Sequence, residues 1–323
     1  MKLSLKLLIL SGLLFFGLNV FAQSVDMAGA KFNAANQQFK AKSYGQAVQL
    51  YEQALRMAKA AGPDAFSLQT QIEKQLAVSY FWNGIDFYKH RQFDQAIAQM
   101  QKAKQLADQI GDARTKTLSV TYIARVYSSK GMSMMKSKDY TGADAQFDAA
   151  IKEKPTCLNA YFGKSLLAKE TKNTDEMIAS VNKLGQLVAK STNQKGPQMY
   201  GQVKNMAFAT LLNDGAMELQ REHPEDALTS LNKSLQFNRN NASAYYYIAL
   251  ANLKLKRWDG AISNAKKALT MNGVSKTDIY FTLGQAYQGK GEKASACSAF
   301  KKVTSGPNVA AAKYQIKQVL KCK

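Results

Sequence analysis

The sequence predicts an all-α protein, an array of about seven helix–turn–helix units closed by a C-terminal capping helix. Three observations carry this. Only 5 prolines occur in 323 residues, while Ala, Gln, Lys and Leu recur throughout, which favours helices over turn-rich β structure. The chain is 46% hydrophobic and 21% charged, too apolar for a disordered polymer and ordinary for a folded one. Above all, one set of small and large residues returns at matching offsets along the chain.

The N-terminal segment reads as an export signal. Lys2 and Lys6 give a basic start, Leu7 to Phe16 is nearly all apolar, and Val20-Phe21-Ala22 offers a small-residue cleavage site before Gln23. An uncleaved anchor is the alternative, but Leu7 to Ala22 is 16 residues, short of the roughly 20 that span a bilayer. No later segment is apolar enough to span. The expectation is a signal over 1–22 and a mature chain without a membrane span.

The repeat is clearest over residues 242–273. Ala244-Tyr245-Tyr246-Tyr247-Ile248-Ala249-Leu250-Ala251 begins one helix, Lys256-Arg257-Trp258-Asp259 turns, and Gly260 to Leu269 forms a second. The next unit carries Tyr280, Leu283, Gly284 and Tyr287, then Ala296, Phe300 and Val303. Upstream, the same frame fits Tyr44-Gly45-Gln46-Ala47 with Tyr51; Gly84 with Phe93 to Ile97; Gly131 with Tyr140 to Ala143 and Phe147; a degenerate unit at Tyr161, Met177 and Val181; and Gly215 with Pro224 to Leu228. The residues just after the turns are 47, 96, 143, 177, 227, 261 and 296, with gaps of 49, 47, 34, 50, 34 and 35. The long gaps predict extended helices over 65–90 and 112–137. Ser191-Thr192-Asn193-Gln194-Lys195-Gly196-Pro197 is the expected hinge, separating units 1–4 (23–190) from units 5–7 and the cap (198–323). Between Pro307 and Leu320, the residues Val309, Ala312, Ile316, Val319 and Leu320 fall at helical spacing and read as the cap.

This pattern resembles the tetratricopeptide repeat family, whose unit is a helix–turn–helix of about 34 residues. The resemblance covers roughly residues 28–305. It implies a right-handed α-solenoid whose inner helices line a concave groove for protein or peptide partners. Projected onto this chain, that frame places Phe32, Phe39 and Lys40 in the first unit, and Phe81, Tyr88 and Lys89 in the second. Met132, Met135 and Lys136 follow in the third and Phe162 in the fourth; Tyr246, Leu250, Leu253, Lys254, Phe281 and Gln285 come from later units. Rings and thioethers beside lysines suit an apolar side chain with an acidic neighbour; the same residues also suit packing between helices. The Lys and Asn set with which some family members clamp acidic C-terminal peptides is not present.

Little else in the sequence points to chemistry. Gly289-Lys290-Gly291-Glu292-Lys293-Ala294 matches a Gly-x-Gly-x-x-Ala phosphate loop, but a helix precedes it where a dinucleotide site needs a strand. His90 and His223 fall at turns far apart, with no ligand spacing around either. No serine elbow, Cys-x-x-Cys pair or His-Glu-x-x-His motif occurs, so no catalytic residue, metal or cofactor is expected.

Charge and cysteines complete the reading. The chain carries 44 basic and 23 acidic residues, a net +21, and the excess grows toward the C-terminus. Outside the cytoplasm a basic surface meets acidic protein, glycan or lipid headgroups rather than nucleic acid. The sequence thus supports a non-enzymatic scaffold of the cell envelope, periplasmic in a two-membrane bacterium, with outer-membrane association left open. The alternative is a basic module that binds an anionic envelope polymer. An exported chain can also form a disulfide. Cys297 lies 9 residues before Gly306 and Cys322 lies 16 after it, a mismatch of about 10 Å for antiparallel helices. Both the Cys297–Cys322 bond, which leaves Cys157 free, and three free thiols stay open.

Overall fold

A computed structural model describes residues 25–323 of the chain. The export segment and its cleavage after Ala22 lie outside the described residues. Those residues form helices joined by short turns, with no strand among them. The order is α1 (25–40), α2 (Tyr44–Ala61), a 3₁₀ turn (Gly62–Ala65), α3 (Phe66–Lys89), α4 (Phe93–Gln109), α5 (Ala113–Lys136), α6 (Tyr140–Glu153) and α7 (Leu158–Glu170). Then come α8 (Thr174–Ala189), α9 (Gly196–Gln220), α10 (Pro224–Ser234), α11 (Ala242–Lys254), α12 (Trp258–Leu269), α13 (Lys276–Lys290), α14 (Lys293–Lys301) and the cap, α15 (Val309–Tyr314). The long gaps are taken up as expected: α3 and α5 each run 24 residues, and α9 runs 25.

The chain divides into two compact units, Met1–Leu167 and Ala168–Lys323. That division falls inside α7, not at 191–197. The 191–195 stretch is the loop between α8 and α9 within the second unit, and Gly196-Pro197 opens α9. Proline in the first helical turn has no intrahelical N–H bond to lose, so the pair starts a helix there.

Every unit turns from its first helix to its second in the same way. The residue in the left-handed region is Lys42, Arg91, Lys138, Lys172, Glu222, Lys256 and Gly291 in succession, with φ between 56° and 85°. The next N–H reaches back to the carbonyl five residues earlier: Ser43 to Gln38 (3.0 Å), Gln92 to Phe87 (3.0 Å), Asp139 to Met134 (3.0 Å), Asn173 to Ala168 (2.8 Å), His223 to Glu218 (2.9 Å), Arg257 to Asn252 (2.9 Å) and Glu292 to Tyr287 (2.9 Å). This bond is the mark of a Schellman ending, which satisfies carbonyls that the helix leaves open. Only the seventh unit fills the left-handed position with glycine. The other six hold a side chain there against its steric preference.

Packing in six of the seven units rests on a small residue seven before that turn residue and a larger one nine after it; the sixth has alanine, Ala249 and Ala265, at both places. The pairs Gly84 and Met100, Gly131 and Phe147, Gly215 and Leu231, and Gly284 and Phe300 show it most sharply. A Cβ added at those glycines would lie 2.7, 2.7, 2.5 and 2.7 Å from the facing side chain. Phe147 packs closely against both Gly131 of α5 and Gly163 of α7, and is fully buried. Two helices approach this closely only if one presents almost no side chain. Buried alanines such as Ala47, Ala96, Ala143, Ala227, Ala261 and Ala296, five after the turn residue, do the same on the second helix.

The cap covers Phe300 and Val303 at the end of the second unit with Ala312, Leu320, Val309 and Ile316. It starts only at Val309 and widens into a π-turn over Gln315–Val319. The N–H of Cys322 then donates to the Ile316 carbonyl at 2.9 Å. The chain end therefore folds back instead of running on as a straight antiparallel helix. This removes the axial mismatch: Cys297 and Cys322 are joined, with Cα atoms 5.9 Å apart, and Cys157 is free and buried.

Candidate functional site

The groove residues projected from the sequence occupy four places in the unit. Ten before the left-handed residue stand Phe32, Phe81, Phe162, Tyr246 and Phe281. Phe81 is core: it is 5% exposed, with the Tyr122 ring edge-on at 5.3 Å. Phe32 packs on Tyr51 at 5.8 Å and Phe281 on Phe300 at 5.7 Å, so this place wedges helices together and leaves only part of each ring outside. Six and three before the turn residue come Met132, Leu250 and Gln285, then Phe39, Tyr88, Met135 and Leu253, all half-buried. Met132 and Met135 lie against the Ala143, Phe147 and Leu167 cluster. The Tyr88 hydroxyl shares a 2.9 Å hydrogen bond with Ser129.

The recurring lysines have a different explanation from the one their periodicity invites. Lys40, Lys89, Lys136 and Lys254 are each the last residue of their helix. A cation there is stabilised by the negative end of the helix dipole. Lys254 also pairs with Glu222 of the preceding turn at 2.6 Å. Arg257 with Glu225 (2.6 Å) and Lys290 with Asp259 (2.7 Å) continue this turn-to-turn ladder. The Lys290 ammonium is held above the ordinary lysine range, first by its bond to Asp259 and then by Glu292.

The first compact unit joins the expected Phe39 and Phe81 to Tyr44, Trp82 and Tyr122, which the groove projection did not include, in one run of rings. Trp82, 39% exposed, stacks on Tyr44 with ring centres 5.9 Å apart and planes at 21°. Tyr44 in turn meets Phe39 at 5.4 Å. On the other side Trp82 contacts Phe81 at 5.6 Å, Phe81 contacts Tyr122, and the Arg125 guanidinium lies 4.6 Å over the Tyr122 ring. The geometry is local in origin. Tyr44 is the first residue of α2, Phe39 is in the last turn of α1, and the long α3 carries its middle turns past both. Arg125, Lys40 and Lys89 are exposed and have no acidic partner among the described residues. The sequence did hold a signal for Trp82. Nine before the turn residue, other units carry Asn33, Ser129, Gly163, Asn213, Tyr247 and Thr282, so a large ring there is shared only with the sixth unit.

Beneath this face two phenols are locked in place. Tyr51 donates to Asn36 at 2.5 Å, and burial pushes its pKa up to about 12. Tyr80 donates to Glu52 at 2.5 Å and is raised still further, by burial first and then by the Glu52 carboxylate.

The remaining sequence features resolve into turn structure. Gly289 lies against the Trp258 ring, and Gly291 is the left-handed residue of the last turn, so this glycine pair serves packing and helix termination. The His90 ring bonds the Asp86 carbonyl of its own helix at 2.9 Å. Glu218, His223 and Asp226 place ligand-type atoms within 4.8 Å of one another. Glu218, however, already receives His223 at 2.9 Å and Arg221 at 2.7 Å, which hold its carboxyl below the usual range and tie the turn.

These units, turns and small-to-large contacts define a helical-hairpin repeat protein. Residues 218–275 and 277–305 match the Tetratricopeptide repeat family, so this part of the chain is built of tetratricopeptide repeats. Among curated proteins none matches it in sequence. Similar solved structures include the TPR2AB domain of yeast Sti1 in a pHSP90 complex, at 16% identity, covering 92% of this chain and 98% of that one, with a TM-score of 0.34. YrrB, described as a TPR protein with an unusual peptide-binding site, matches at 17% identity over 60% of this chain and 92% of its own, with a TM-score of 0.33. A tetratricopeptide repeat protein from Parabacteroides merdae matches at 14% identity over 91% and 98%, with a TM-score of 0.29.

Proposed function

We propose that the chain is a non-enzymatic adaptor of the cell envelope, exported to the periplasm of a two-membrane bacterium, that captures an extended protein segment on the first of its two compact units. Tetratricopeptide repeat proteins generally act as protein-interaction scaffolds. The observation that carries the finer reading is the exposed Trp82–Tyr44 stack continued by Arg125 over Tyr122. An indole face takes an apolar or aromatic side chain, and the guanidinium, two rings further along, takes a carboxylate. Export is supported by the basic, apolar and small-residue succession that ends at Ala22.

Crosslinking in intact cells, followed by pull-down of wild type, Trp82→Ala and Arg125→Ala, tests this. Removing a buried interface ring commonly costs 2 kcal/mol or more, about 30-fold in affinity. Each substitution is expected to deplete the same captured protein, whereas Met217→Ala, which also trims an exposed large side chain, is not. Equal recovery from wild type and Trp82→Ala would reject the site. Recovery of the chain from the cytoplasmic fraction would reject the address.

A further inference from the structure

From residue 256 to the chain end there are 13 basic residues and 3 acidic ones. All three carboxylates are engaged inside the chain. Asp259 and Glu292 sit on Lys290 at 2.7 and 2.9 Å, and Asp278 accepts from Asn308 at 3.0 Å. Lys313, Lys317 and Lys321 are spread along the cap and its π-turn, and all three are exposed without an acidic partner among the described residues.

The exposed surface of the cap is not purely charged. Tyr314 is 59% exposed and Val319 is 47% exposed, while Ala312 and Leu320 are turned inward onto Phe300. The cap is also held firmly. The disulfide ties Cys322 to α14, and the Lys301 ammonium donates to the Lys323 carbonyl at 2.7 Å. A short segment with apolar groups on both faces is unusual for a solvent-exposed cap. Its inner face is explained by packing and its outer face is not.

We infer that the outer face of the cap docks on an anionic lipid surface. Lys313, Lys317 and Lys321 lie against headgroup phosphates, and Tyr314 and Val319 enter the interfacial layer. The charge excess alone would serve an acidic polymer equally well. The two exposed apolar side chains favour lipid, because a tyrosine among lysines suits the boundary between headgroups and acyl chains. Among the described residues no helix is long and apolar enough to cross a membrane, so the contact is peripheral. This surface belongs to the second unit and does not depend on the peptide site proposed for the first.

The test is cosedimentation of the purified chain with vesicles of equimolar phosphatidylglycerol and phosphatidylcholine, and with phosphatidylcholine alone. Wild type is expected to pellet only with the anionic vesicles. Each lysine near such a surface contributes roughly fivefold, so Lys313→Gln/Lys317→Gln/Lys321→Gln is expected to bind on the order of 100-fold more weakly. Tyr314→Ser/Val319→Ser is expected to weaken vesicle binding and to make the remainder release at lower salt. The matched control Lys183→Gln/Lys190→Gln/Lys195→Gln removes the same charge from elsewhere in the unit and is expected to bind as wild type. Two results would overturn the inference: a control that loses as much as the cap variant, or vesicle binding insensitive to Tyr314→Ser/Val319→Ser and fully displaced by soluble polyglutamate. The latter would assign the face to acidic polymers.

Discussion

Adding one methyl group at Gly131 is expected to unsettle the third unit, whereas the same change at Gly201 should stabilise its helix. A Cβ at Gly131 would stand 2.7 Å from Phe147 Cε1 and 3.1 Å from the Ala143 carbonyl. The ring has little room to retreat, since it also packs closely on Gly163 of α7, where an added Cβ would lie 2.3 Å from the same Cε1. Overpacking of this kind costs about 3 kcal/mol when the neighbour is blocked, and the better helix propensity of alanine returns about 1. The net loss for Gly131→Ala is thus about 2 kcal/mol. Gly201, inside α9, has nothing within 4 Å of its missing Cβ, so Gly201→Ala should gain up to about 1 kcal/mol. Urea unfolding followed by circular dichroism gives the two signs. Hydrogen exchange across α5 to α7 shows whether the loss is local, as a repeat array allows. Introducing Phe147→Leu into Gly131→Ala should recover part of the loss through coupling between touching residues. If Gly131→Ala were as stable as Gly201→Ala, the claim that ring and glycine are mutually required would fail.

Three further outcomes follow from the turns, the buried phenols and the cap. Lys138→Gly relieves a left-handed side chain and should raise stability by about 1 kcal/mol, with Gly291→Ala lowering it by a similar amount; urea midpoints moving in the same direction would contradict the turn assignment. Tyr51 and Tyr80 have phenols raised in the folded state, so their contribution is complete below the unfolded value of about 10 and is lost as pH rises from there toward 12. Melting temperature should fall over that range while absorbance reports tyrosinate, and Tyr51→Phe should flatten the fall; an unchanged slope would remove Tyr51 from the explanation. Cys297→Ser/Cys322→Ser opens a closed segment with a sequence separation of 25, at a cost of about 3 kcal/mol. Exchange should quicken over 293–323 and stay unchanged elsewhere, and intact protection of the cap would mean that packing alone holds it.

The register of the fold was legible because its two rules are local. Small residues such as Gly84, Gly131, Gly215 and Gly284 stand 16 positions before the large residues they accommodate, a spacing visible in the sequence and repeated in the packing. The extended α3 and α5 were legible from gap lengths for the same reason. The site was legible only in part. Periodicity selects residues that recur, and recurrence in a repeat protein mostly reports structure: Phe81 is a packing wedge, and Lys40, Lys89, Lys136 and Lys254 end their helices. Trp82 and Arg125 break the pattern, so a search for recurrence passes over them. The 191–197 segment reads as a hinge because Gly-Pro marks either a break or a helix start, and only its surroundings decide which. The cysteines were undecided because helix arithmetic cannot foresee a π-turn.

The bond between Cys297 and Cys322 alters what a protease can do to this end of the chain. Thr304, Ser305, Gly306 and Pro307 are exposed on the only connection between α14 and the cap. In an unlinked helical hairpin, one cut there would release the last helix and bare Phe300, Val303 and whatever the cap had sheltered. Here a nicked chain stays covalently whole, with the cut segment still tethered through its sulfur to α14. The core of the last unit therefore survives a cleavage that would otherwise begin its degradation, for as long as the surroundings keep the sulfurs oxidised.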